Sequence, residues 1–148
     1  MHEALTAGQA EEILDNLEEK MEVIITSGTL CGSVSKESLD ELAMALEEYG
    51  DVLEGVQLYE AIAPAIYGVV AFVRQNQDEI QKCGEPIWGM FKTMAETMTQ
   101  LRNALFSYDD INREGFYHSF ENDCNMLKNR VLGINSQAHQ SVDNILNF

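Results

Sequence analysis

The sequence predicts an all-α protein: 148 residues forming one domain, a bundle of five or six mostly antiparallel helices. Three observations carry that expectation. Apolar residues return every three or four positions along most of the chain, and no segment of four to eight residues alternates as a half-buried strand would. The thirteen residues Ala61–Val73 carry no charge. That run is short of the roughly twenty residues a bilayer span needs, and it is apolar all round, as in a helix buried among helices. The breaks between periodic stretches are short, so successive helices should double back on one another.

The first helix is expected over 7–27. Thr6-Ala7-Gly8-Gln9 fits a capping box, and Ala10, Ile13/Leu14, Leu17, Met21 and Ile24 make an apolar face. Gly28 is the stop signal. The loop 28–35 contains glycines, but Gly-Thr-Leu-Cys-Gly-Ser lacks the lysine of a P-loop and follows no strand, which excludes that kind of nucleotide site. Ser35 or Ser38 caps the second helix, Ser38-x-x-Glu41 being the better box. Its stripe of Leu39, Leu42, Leu46, Tyr49, Leu53 and Val56 keeps a heptad rhythm, and Gly55 ends or bends it.

The uncharged run belongs to a central helix, about 58–82, which Pro64 kinks or starts. Ala61, Pro64/Ala65, Gly68 and Ala71 form a small-residue edge expected to admit a close neighbour. Ile62, Ile66, Val69 and Val73 form a bulky ridge on another side. Arg74–Lys82 is polar apart from Ile80 and is expected to project from the core. Gly84 stops this helix, and Pro86 opens the next, about 86–106, striped by Ile87, Phe91, Met94, Met98, Leu101 and Leu105. Met44, Met90, Met94, Met98 and Met126 read as core methionines. Asp109 or Asp110 caps a fifth helix reaching about Leu132, with Phe116, Phe120, Cys124, Leu127 and Val131 on one face. Gly133 is the expected stop. A last helix from Asn135 or Ser136 uses Ala138, Val142, Ile145 and Phe148.

Charge narrows the function. The net charge is −16, and residues 1–60 hold fifteen acids and two bases, a net of −13. With nine lysines and arginines, all dispersed, neither nucleic acid nor an anionic membrane is an expected partner. A protein with a basic surface is. Two carboxylate lines could receive it: Glu11, Asp15, Glu18 and Glu22 on the first helix, and Asp40, Glu47, Asp51 and Glu54 on the second. Both are expected to face water, and they would form one field if their helices are neighbours. Three scattered cysteines, Cys31, Cys83 and Cys124, include no Cys-x-x-Cys pair and suit a reducing compartment. The start has neither a basic n-region nor an apolar h-region, so the cytoplasm is the expected location.

No catalytic set emerges. Di-iron bundles need Glu-x-x-His pairs, but the residues three before His118 and His139 are Gly115 and Ser136. Neither a metal nor another cofactor is expected. His118 lies opposite the fifth helix's apolar face, with Glu114, Glu121 and Asn125 on its side, and is expected to be exposed. Histidine phosphotransfer domains are likewise helical bundles with an exposed acceptor histidine. Their usual Lys and Gly after the histidine are replaced here by His118-Ser119-Phe120-Glu121-Asn122, so the resemblance covers architecture alone. Trp88 lies off its helix's stripe, beside Lys92, Ala95 and Arg102, and is either core or an exposed anchor for a partner. The expected function is a non-catalytic protein–protein interaction module of adaptor, chaperone or regulatory type, with an acidic docking face. The alternatives are phosphotransfer signalling through His118 and carriage of an apolar ligand inside the bundle.

Overall fold

A computed structural model describes residues 6–56, 62–106 and 113–146, with side chains described as far as 133 except at 105, 113 and 114. Six helices are present among the described residues: α1 (Ala7–Cys31), α2 (Lys36–Gly55), α3 (Ala63–Gln75), α4 (Gln77–Cys83), α5 (Ile87–Phe106) and α6 (Arg113–Leu146). None of the described residues is in a strand. The chain is an all-α bundle. α1 packs between α2 and α5, α3 lies on α2, α6 lies on α5, and α4 reaches α6. The helices therefore close around one apolar core.

The stripes explain this order. Leu39, Leu42, Leu46, Tyr49 and Leu53 of α2 are all buried, as are Ile87, Phe91, Met94, Met98 and Leu101 of α5. In α6, Phe120, Cys124, Leu127 and Val131 are buried and Phe116 is half-buried. A capping box at Thr6 starts α1, with Thr6 and Gln9 each accepting from the other's backbone N–H at 3.1 Å. Pro64 sits in the first turn of α3 and marks its start. Gly84 closes α4 with φ 76°, a positive-φ conformation that glycine adopts without strain.

Several local expectations are corrected. α1 runs through Gly28 and ends at Gly32, whose φ of 68° makes the left-handed cap. Gly28 is needed instead for contact, since a Cβ there would lie 2.3 Å from the Trp88 ring. Ser35, not Ser38, caps α2, because the Ser35 hydroxyl accepts from the Ser38 N–H. The central helix breaks at Asn76, whose side-chain amide donates to the Phe72 carbonyl and competes with helix continuation. The α4 end does not project, as Ile80 is fully buried and Gln81 donates to the Val34 carbonyl at 2.9 Å.

The bulky ridge Ile62, Ile66, Val69 and Val73 is buried as expected, but along the small-residue edge Pro64 is exposed and Ala65 and Gly68 are only half-buried. Ala71 is exposed, and only the Lys128 ammonium, at 3.9 Å, would meet a Cβ at Gly68. Met94 and Met98 are core, whereas Met44 and Met126 are more than half exposed. α6 continues past Gly133, so the expected fifth and sixth helices are one. The Asp109/Asp110 cap, Ala61, Leu105 and the apolar set beyond 133 fall outside the described residues or side chains. No helix among the described residues is long and apolar enough to cross a membrane.

Candidate functional site

α1 and α5 run antiparallel, and their seam is fastened at both ends. At one end the Trp88 ring lies on Gly28, and its indole N–H donates to the Ser33 carbonyl at 2.9 Å. Trp88 has no exposed surface, so the exposed-anchor reading is corrected: it is a core residue satisfied by a backbone acceptor. At the other end Arg102, only 5% exposed, reaches across from α5. Its Nη2 donates to Glu18 at 2.6 Å and Asp15 at 3.0 Å, its Nε donates to Glu18 at 2.7 Å, and Glu11 lies 3.6 Å from Nη1. Tyr49 of α2 donates its phenol proton to the same Glu18 carboxylate at 2.7 Å, which ties a third helix to the clamp. The Glu18 hydrogen bonds hold the Arg102 guanidinium firmly protonated, and burial pushes the Tyr49 phenol well above its ordinary value.

Between these fastenings the seam is underfilled. Among the α5 residues there, Lys92, Ala95, Glu96, Thr99 and Gln100, Ala95 and Thr99 are short. The gap is a groove of about 630 Å³ with Met21 and Ile25 beside Ala95 in its wall. Asp15, Glu18, Glu19, Glu22 and Glu96 line it, against one cation, Lys92. Arg102 answers Asp15 and Glu18. Glu19, Glu22 and Glu96 make no ion pair among the described residues.

The first carboxylate line is thus split. Glu11, Asp15 and Glu18 all reach Arg102, Glu18 largely buried and Glu11 and Asp15 still facing water as expected, while Glu22 faces the groove. The second line lies elsewhere, along the α2 flank that meets α3 and α4. Gln77 donates to Asp40, Arg74 pairs with Glu47 at 2.6 Å, and the Tyr67 hydroxyl lies 2.5 Å from Asp51 and 2.8 Å from Glu54. The two lines face different neighbours, though their helices pack side by side. Sequence reading missed Arg102 as their partner, and missed Glu19 and Glu96 as groove residues. Arg102 did carry a signal, being the only base between Lys92 and Arg113.

The other candidates are simply placed. His118 is exposed on α6, its ring edge-on to Tyr117 with centroids 6.2 Å apart. Cys124 is buried, which pushes its thiol up to about 12, and burial also raises the half-buried Cys83. Compared with known proteins, the chain matches no family model, no curated protein and no solved structure.

Proposed function

We propose that this is a non-catalytic protein-binding module whose docking face is the groove between α1 and α5, and that its partner presents a basic surface. The observation that supports the reading is the set Glu19, Glu22 and Glu96, three carboxylates on a concave seam that make no ion pair among the described residues. The carboxylates gathered by Arg102 and Tyr67, by contrast, are held internally. A cationic partner gains from both attraction and shape at such a place. Three free cysteines, one exposed, fit the reducing cytoplasm as its compartment.

The test is kinetic. A partner captured from the source cell at low salt should associate more slowly with the E19Q/E22Q/E96Q variant than with the parent. The gap should close as salt rises and the Debye length falls from about 10 Å at 0.1 M to about 3 Å at 1 M. Equal association rates with equal salt slopes would remove the groove from the function.

A further inference from the structure

We infer that the occupant of the α1–α5 groove is a basic amphipathic helix from another protein, seated with its apolar row on Ala95. The inference rests on the docking reading above and adds the form of the ligand. Two antiparallel helices with short side chains at their seam leave the site a third helix packs into. The α1 wall from Asp15 to Thr26 spans about 17 Å, or three helical turns. An extended peptide would fare worse. It needs backbone partners, and α1 and α5 spend their own backbone groups within their helices, leaving no sheet edge to pair with. A helix brings its backbone already satisfied.

Charge selects among helices. Glu19 and Glu22 stand on the α1 wall, and Glu96 with the single cation Lys92 on the α5 wall, so an occupant carrying Lys or Arg on both flanks of an apolar row meets a carboxylate on each side. A second copy of this chain carries a net charge of −16 and is repelled. The segment preceding α1, Met1–Leu5, contains no Lys or Arg.

The experiment uses the full chain and three fluorescein-labelled synthetic peptides of about fourteen residues, four turns of helix. One is a Leu/Lys/Ala amphipathic helix, the second interrupts it with two central prolines, and the third replaces Lys by Glu. Anisotropy titration should show the first binding at least tenfold tighter than the other two. E19Q/E22Q/E96Q should weaken it about tenfold, and Ala95→Leu, which narrows the groove, should weaken it similarly. D40N/E47Q/D51N, an equal loss of charge on the α2 flank, should leave it within about twofold. Equal binding of both cationic peptides would overturn the helical occupant while leaving a basic docking groove. Equal weakening by the two triple variants would reduce the effect to bulk charge and overturn the site. Binding of neither cationic peptide would overturn both the helix and the docking reading.

Discussion

The flanks of α1 and α2 look alike in sequence, each a row of carboxylates beside an apolar stripe, yet they meet different fates. On α2 the row lies along the seam with α3 and α4 and is taken up by Gln77, Arg74 and Tyr67 at the surface. On α1 one buried guanidinium gathers three carboxylates, and beyond it the seam opens with its acids unanswered. What distinguishes them is the adjoining helix. α3 and α4 bring polar groups spaced along the seam, whereas α5 places Arg102 at one end of its seam and Lys92 toward the other, with Ala95 and Thr99 between. A carboxylate row therefore says little until its neighbour is known.

The sharpest way to break this contrast is to remove one cation from each seam. Arg102→Met should destabilise by about 3 kcal/mol, because Glu18 is left largely buried without its partner. Arg74→Met should cost under about 1 kcal/mol, since the Arg74–Glu47 pair is solvent-exposed. Urea midpoints at neutral pH measure both, and equal losses would mean that the two seams are electrostatically equivalent.

A smaller effect is expected at the glycines. Gly28→Ala puts a Cβ 2.3 Å from a ring that is fully buried and hydrogen-bonded, so overpacking should cost about 1–3 kcal/mol despite alanine's better helix propensity. Gly50→Ala in the α2–α3 seam meets Tyr67 at 2.8 Å, and that ring is half-exposed and can swing, so the loss should be smaller. Gly68→Ala, on the open face of α3, should be neutral or stabilising by up to about 1 kcal/mol. Thermal denaturation of the three variants should rank them in that order, and a large loss at Gly68 would restore the closely packed edge.

The smallest change is expected from the groove acids. In E19Q/E22Q/E96Q, relief of like charge should leave stability within a few tenths of a kcal/mol of the parent, or slightly above it. In E47Q/D51N/E54Q the in-chain partners are weakened, and stability should fall by about 1 kcal/mol or less. A clear loss in the first variant would show that those carboxylates hold the fold and are not free for a partner.

Period was a sound guide here because helix burial repeats with the geometry of the helix itself. The α2 stripe from Leu39 to Leu53 and the α5 stripe from Ile87 to Leu101 were legible residue by residue. Glycine was not. Gly28 lies within α1 and serves a ring sixty residues away, Gly32 ends that helix, and Gly133 interrupts nothing. The local sequence carries the same symbol for a cap and for a close approach, and only the tertiary neighbour separates them. The candidate site was half visible for a related reason. The row containing Asp15, Glu18 and Glu22 could be seen on one helix, but Arg102 and Glu96 come from another, and the groove is a property of the pair.

Trp88 is the sole tryptophan of the chain and has no surface in water. The protein's indole emission therefore comes from one point, the fastened end of the α1–α5 seam. Held against Gly28 and Ser33, that indole should emit toward the blue and resist iodide quenching. If an occupant pries the two helices apart, the emission moves red and the quencher gains access. If it settles into the existing gap, the colour stays as it was. The chain thus carries its own optical gauge of whether its helices part on binding.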